Sequence, residues 1–506
     1  MIRCFTVILI TSLLSGCINV GPDYKAPIVN VPKKWTGTPK IEQKKSLQPE
    51  QWWKSFNDPM LDQLITDAIA ANLDLKQALA RVRDARAQRW ITIADGLPTV
   101  SGASNATRRF NNYASSAGQA GSQSTGGAFG IGDQIINIFQ LGFDSQWEVD
   151  IFGGERRAIE AADANIDSEI ENSRNVLISL LAEVAGNYIE LRTNQQLIVI
   201  TRDNVNAQRD TVKLNQIRQQ AGFSSMLEVA QAESQAATTE AFMPVYETIV
   251  KQSIHALSIL LNREPNALAS RLKNIGPIPV MPTVAITDLP SELLLRRPDI
   301  RRAERLMAKA NADVGVATAE LYPRVNLSAF IGLQNAQISD FTPIGKSWDT
   351  ASSLTLPIFN WGRIKANIKS KNALFDVAFL TYQSSVLTAF KEVEDALVAY
   401  ANEQQRFRSL ELAVNASLLS VKMANERYDH GLTMFLDVLQ AQESLFQAQR
   451  NLADSKAQLS TDLIILYKAL GGGWQNQASV ADDVNIKPQK ELWLDGVFTP
   501  PKHNAP

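Results

Sequence analysis

From Arg363 to His430 the chain contains neither proline nor glycine. Proline costs about 3 kcal/mol inside a helix and glycine about 1, so a stretch free of both reads as one continuous rod. At a rise of about 1.5 Å per residue it would reach roughly 100 Å, far longer than a globular helix. Proline is also missing between Pro98 and Pro244 and between Pro357 and Pro488. The fold must therefore accommodate rods, and rods of this length need neighbours along their whole extent.

The rods come in two copies. Ala221-Gly222-Phe223-Ser224-Ser225-Met226-Leu227-Glu228-Val229 aligns with His430-Gly431-Leu432-Thr433-Met434-Phe435-Leu436-Asp437-Val438 at a constant offset of 209. The same offset carries Glu183-Val184 to Glu392-Val393 and Gln195-Gln196 to Gln404-Gln405. A shorter similarity precedes it at an offset of 225, pairing Ala94 with Ala319 and Leu97-Pro98 with Tyr322-Pro323. After the turn, Val438, Leu445, Leu452, Leu459 and Leu466 recur every seven residues, matched by Val229, Ala236, Met243, Val250 and Leu257. A strict seven-residue stripe implies left-handed coiled-coil packing. Pro244 interrupts only the first copy and predicts a kink there.

Between the rods the period changes to two. Over Phe139 to Ile151 the odd positions are Phe139, Leu141, Phe143, Ser145, Trp147, Val149 and Ile151, while the even ones are polar or Gly142. One greasy face and one polar face is the signature of a strand. Val325 to Leu333 alternates more weakly, and the partners near Thr99 to Thr107 and Trp348 to Ile358 are weaker still. Each has about the 9–11 residues of a tilted membrane strand; an ordinary soluble hairpin fits the same pattern. Four strands cannot close a channel, since transmembrane barrels need about eight, so strands that meet lipid here require oligomerisation.

The N-terminus reads as an address. Arg3 supplies charge, Phe5 to Leu14 is apolar and too short to span a bilayer, and Leu14-Ser15-Gly16-Cys17 resembles the bacterial lipoprotein box. That resemblance implies removal of residues 1–16 and acylation of Cys17, with Ile18 in the following position favouring the outer membrane; a free buried thiol is the alternative. Cys4 leaves with the signal, so no disulfide or thiol nucleophile is expected. His255, His430 and His503 show no ligand spacing, so neither a metal nor another cofactor is expected. The net charge of -2, with acids and bases interspersed, argues against nucleic acid as a partner. No later stretch offers about 18 consecutive apolar residues.

In this order of motifs the chain resembles the outer-membrane efflux proteins of the TolC and OprM type, and within them the NodT-like lipoprotein branch. The resemblance runs through Cys17 with Gly21-Pro22-Asp23-Tyr24 and Pro27, then Trp52-Trp53, Phe56, Asp58-Pro59 and Leu61. It continues in Arg297-Pro298-Asp299-Ile300, Ala303-Glu304, Leu306, Tyr322-Pro323, Ile358-Phe359, Gly362, Tyr428 and Gly431. It implies a mainly α protein with a membrane β-barrel: a homotrimer whose chains each give four strands to one twelve-stranded barrel above a periplasmic helical tunnel. A periplasmic adaptor and an inner-membrane pump of the RND or a similar class would load this passive conduit, which carries no catalytic centre.

The expected organisation is a signal peptide (1–16), an N-terminal anchor (17–57), a first repeat (58–275), a linker (276–297), a second repeat (298–470) and a C-terminal segment (471–506). The first repeat has strands near 97–110 and 137–151 and helices over 155–262. The second has strands near 323–334 and 347–358 and helices over 362–470. Segments near Asp58 to Asp95, Gly276 to Pro298 and Gly471 to Pro506 would form a belt around the tunnel. Trp52 and Trp53 read as packing anchors in preference to a ligand site, and Asp58-Pro59 and Arg297-Pro298-Asp299 as helix starts.

The turns at Gly222, Phe223 and Ser224 and at Gly431 and Leu432 would lie at the periplasmic tip and offer adaptor contacts. Each turn is followed by a carboxylate, Glu228 or Asp437. Threefold symmetry would turn each into a ring favouring cations. Ser225 to Glu228 is equally a capping box, and Asp437 gains from a helix N-terminus, so cap and gate both stand as readings. By resemblance, Tyr428 and Asp437 match the closing network and pore ring, and Glu228 an acidic partner. Thr433 and Gln440 stand where TolC-type proteins have Arg and Asp, which predicts a weaker hydrogen-bonded or apolar closure in place of a full ionic latch. Two rival readings are a soluble periplasmic coiled-coil lipoprotein and an envelope hydrolase. The second lacks any Ser/His/Asp or metal constellation in the sequence.

Overall fold

A computed structural model describes residues 19–27, 49–111, 134–280, 296–337 and 346–475. Cys17 and the signal, residues 281–295 of the expected linker and 476–506 of the C-terminal segment lie outside the described residues. A 3-10 helix (Pro49–Phe56) is followed by α1 (Pro59–Ala71), α2 (Leu73–Asp95), β1 (Thr99–Asn111), β2 (Gln134–Val149) and α3 (Gly154–Gln220). Next come α4 (Met226–Glu240), α5 (Met243–Leu260), the short α6 (Ala269–Leu272), α7 (Pro298–Ala319), β3 (Arg324–Asn335) and β4 (Lys346–Thr355). The last two helices are α8 (Arg363–Asp429) and α9 (Phe435–Ala469). The proline-free stretches become α3 and α8, each 67 residues without a break.

The compact units cut across the two repeats. Of the described residues, one takes those within 1–26, 85–165 and 306–378, the other those within 27–84, 166–305 and 379–506. The first unit holds an antiparallel sheet in the order β1-β2-β3-β4, with β1 and β4 at its edges. Gly102, Phe143, Ile331 and Trp348 lie opposite one another across the four strands, and the last three are exposed. The strand alternation thus aligns into a continuous apolar face. On the other face Asp144 and Asp349 flank Phe330. Phe330 explains the weak alternation of β3: it is a large apolar residue on the polar face, lying over Gly142 and Gly332, where an added Cβ would come within 2.6 and 2.7 Å of its ring. β4 stops at Thr355, short of the expected 358, because Pro357 has no N–H for the ladder.

The Gly21-Pro22-Asp23 segment is tied into this unit by one buried arginine. Arg157 donates to Val20 O at 3.2 Å and to Asp23 at 2.7 Å, while Asn311 donates to Pro22 O at 2.8 Å. Val20 N donates to Phe152 O at 3.2 Å, just beyond the end of β2.

The second unit contains the largest core. Trp52, only 1% exposed, stacks on Tyr467 with centroids 5.5 Å apart, and Trp53 meets Trp52 edge-on at 5.9 Å. Both tryptophans are therefore packing anchors. Asp58 caps α1, accepting from Met60 N at 2.9 Å and Leu61 N at 3.2 Å, with Pro59 at the first turn. Its other carboxylate oxygen accepts from Tyr188 at 2.8 Å, which fixes α1 against α3. Of the seven-residue stripe, Val229, Ala236, Leu257, Val438, Leu445, Leu459 and Leu466 are buried. The first copy's returning helix is interrupted at Ala241 and Phe242, just ahead of the Met243-Pro244 start of α5, while α9 runs unbroken. Both interrupting residues keep right-handed helical angles, so the ladder breaks there without a reversal of the chain. Phe242 fills the gap, 5.8 Å from Phe446 and beneath the Arg450 guanidinium at 4.3 Å.

Candidate functional site

The two long-helix turns share one backbone solution. Phe223 N donates to Arg218 O at 2.8 Å and Gly222 N to Gln219 O at 3.0 Å; Leu432 N donates to Arg427 O at 2.8 Å and Gly431 N to Tyr428 O at 3.0 Å. This is the Schellman arrangement, which needs a left-handed residue after the last helical turn. Gly222 (φ 77°) and Gly431 (φ 70°) supply it. The following apolar residues, Phe223 and Leu432, are exposed.

Past the turns the copies diverge. Ser225 caps α4 by accepting from Glu228 N at 3.3 Å, so half of the expected capping box forms. The other half does not, which corrects the view of Glu228 as a reciprocal cap. Its carboxylate instead accepts from Ser224 Oγ at 2.7 Å and from Tyr428 Oη at 2.8 Å. A charged acceptor draws these hydroxyls more strongly than a backbone amide competes for it. In the second copy Met434 occupies the capping position and offers no side-chain cap. The matched hydroxyl–carboxylate pair survives there, with Thr433 donating to Asp437.

Tyr428 joins the two hairpins. It is 6% exposed and belongs to a small apolar cluster with Ala232, Phe435 and Val438. The Arg218 guanidinium lies 4.5 Å from its ring centroid. Its hydroxyl also lies 3.0 Å from Asn215 Oδ1. A phenol has one proton, and the Glu228 carboxylate is the stronger acceptor for it. Burial first, then the Glu228 carboxylate, push the Tyr428 pKa up to about 12.

The structure thus brings Glu228, Ser224 and Tyr428 together and places Thr433 with Asp437. Gln440 is exposed, and its side chain makes no hydrogen bond among the described residues. Sequence reasoning misses Asn215 and Arg218. The constant offset holds a signal for one of them, because Arg218 maps onto Arg427, the matching arginine of the second turn.

The decisive observation lies in the whole chain. The sequence profile of the outer membrane efflux protein family matches residues 64–263 and 289–472. The chain is an outer membrane efflux protein. Nodulation protein T of Rhizobium leguminosarum bv. viciae is 31% identical to it over 465 residues, covering 91% of this chain and 92% of that protein. The toluene efflux pump outer membrane protein TtgF of Pseudomonas putida is 32% identical over 480 residues, covering 92% and 96%. Among solved structures, the outer-membrane channel OprN superposes with a TM-score of 0.83 at 32% identity, covering 90% of this chain and all of that one. The open state of the MtrE outer membrane channel of Neisseria gonorrhoeae gives 0.74 at 26% identity, covering 90% and 98%. As an outer membrane efflux protein, the chain is a channel: it pairs two duplicated long helical hairpins with one four-stranded sheet.

Proposed function

We propose that the protein is the passive outer-membrane duct of a tripartite efflux system, working as a homotrimer with a periplasmic adaptor and an inner-membrane pump. The observation that carries this reading is the four-stranded sheet with two open edges and an exposed apolar face. An open edge cannot persist in hydrocarbon, and four strands cannot enclose a channel. Three copies placed edge to edge would leave no edge. Leu374, Leu380 and Leu387 on α8 support the same reading: all three are exposed in a single chain, as helix surface awaiting a neighbour would be.

Cys17 is proposed to be acylated. The Leu14-Ser15-Gly16-Cys17 motif supports that reading. The tips are proposed as the adaptor-facing end and gate, with exposed Phe223, Leu432 and Met434 available to an apolar partner.

Detergent-solubilised protein should migrate as a stable assembly of three protomers and form ion-conducting pores in planar bilayers. A water-soluble monomer without conductance would instead support the periplasmic coiled-coil reading. In the same bilayers, Asp437→Ala should lower the cation-over-anion permeability ratio, because a ring of three carboxylates favours cations. An unchanged ratio would remove Asp437 from the pore lining.

A further inference from the structure

We infer that the helix-side rim of the sheet carries a binding site for anionic phospholipid headgroups, formed by Trp361, Lys365 and Lys369. The inference rests on the reading that the sheet enters the outer membrane.

Beyond Thr355 the chain leads into α8 through a segment of unusual exposure. Ile358 and Trp361 are each 90% exposed and Phe359 is 73% exposed. The Phe359 and Trp361 rings meet at 4.9 Å. Trp361 sits at φ 53°, in the left-handed region that bulky residues seldom occupy. The matching step of the first repeat takes its left-handed turn at Gly153 (φ 82°), so the step itself does not require an indole. At the matching step of the first repeat, Phe152 is stacked on Tyr322 at 4.8 Å and Gly153-Gly154 take the place of Asn360-Trp361-Gly362. Large aromatic rings with a polar edge are at home where lipid meets water. The depth agrees: from Trp348, itself 75% exposed, to Ile358 is about ten residues, at most about 33 Å of extended chain. At the usual tilt of 35–45° that is roughly 25 Å along the membrane normal, the height of a barrel's apolar band.

Charge selects the lipid. The first turns of α8 carry Arg363, Lys365, Lys369 and Lys371, and no acid precedes Asp376. The corresponding turns of α3 balance Arg156 and Arg157 with Glu155, Glu160 and Asp163. Cations at a helix N-terminus face the positive end of its dipole, so they are placed unfavourably unless an anion joins them. Arg363 is answered by Glu320 at 3.7 Å. Among the described residues, Lys365, Lys369 and Lys371 make no ion pair. Lys365 and Lys369 lie one turn apart on one face of α8, and Trp361 precedes the first helical residue, Arg363, by two positions. A phosphate held against that face meets both ammoniums, and a headgroup with net negative charge gains from them where a zwitterionic one does not.

The test is native mass spectrometry of the full-length assembly in detergent, titrated with phosphatidylglycerol or with phosphatidylcholine of the same acyl chains. Phosphatidylglycerol should bind the tighter, by roughly fivefold per lysine. The preference should vanish in the Lys365→Gln/Lys369→Gln double variant, whose exposed positions leave the core untouched. Trp361→Ala should weaken both lipids together. Equal binding of the two lipids, a preference that survives the double variant, or displacement by excess inorganic phosphate alone would each overturn the inference. Retention of lipid without headgroup preference defeats only this site. Failure to retain either lipid, with no entry into proteoliposomes, defeats the membrane reading on which it rests.

Discussion

Replacing Tyr428 with Phe should raise the open probability of the reconstituted channel roughly 5- to 150-fold at neutral pH. The hydroxyl is held between Glu228 Oε2 at 2.8 Å and Asn215 Oδ1 at 3.0 Å, in a side chain that is 6% exposed. Removing it leaves Glu228 with Ser224 as its remaining side-chain donor and costs about 1–3 kcal/mol for the polar groups left unsatisfied. If the cost falls on the closed arrangement alone, it converts directly into that shift of population. Deprotonation should act in the same direction. The Tyr428 pKa is raised from the ordinary 10 to about 12. Its contribution is therefore fully present below pH 10 and is lost as pH rises from 10 through 12. Single-channel recordings should show openings becoming frequent in that window in the native protein, with the Tyr428→Phe variant showing no such transition. A native-like closed fraction in the Tyr428→Phe protein would rule out this contact as part of the latch.

Much of the fold is legible because rods and strands are properties of one segment at a time. The absence of proline and glycine over 363–430 dictates α8, and Gly222 and Gly431 mark the turns because few other residues accept their backbone angles. The alternation over 139–151 marks β2 for the same local reason. β3 is less legible because Phe330 breaks its alternation to cover two glycines, one of them on a neighbouring strand. That is a tertiary fact with no local trace.

The tip shows the same division more sharply. The repeat finds Glu228 and Asp437 as equivalents, yet periodicity states which face a residue occupies and not which helix meets it. The Glu228 side chain satisfies both a capping-box pattern and a contact to Tyr428, 200 positions away, and only packing decides between them. Asn215, wholly buried beside the same hydroxyl, carries no motif at all.

Arg297 is the residue whose sequence reading is least complete, and its loss should be among the costliest. Its place before Pro298-Asp299 identifies a helix start, and the structure adds three partners from separate helices. The guanidinium donates to both oxygens of Asp299, at 3.0 and 2.6 Å, to Ala469 O at the end of α9, at 2.9 Å, and pairs with Glu392 of α8 at 2.7 Å. Burial works against its charge, and Asp299 and then Glu392 more than offset that, so its pKa is raised. Arg297→Ala would leave the Asp299 carboxylate and a helix-end carbonyl without their donor. Such a loss costs about 3–5 kcal/mol for a buried pair, and the lower end applies here because Glu392 is half-exposed and solvent screens it. Lysine should recover little, since an ammonium cannot match a two-oxygen contact and reach Glu392 as well. A cycle of Arg297→Ala, Glu392→Ala and the double variant, followed by detergent or thermal unfolding, would separate the two carboxylates. If Glu392→Ala alone costs under about 1 kcal/mol while Arg297→Ala keeps most of its effect, Asp299 and the α9 carbonyl carry the tie. If instead Arg297→Ala itself costs under about 1 kcal/mol, the guanidinium is a surface pair in energetic terms and the second unit is held by its apolar core around Trp52 alone.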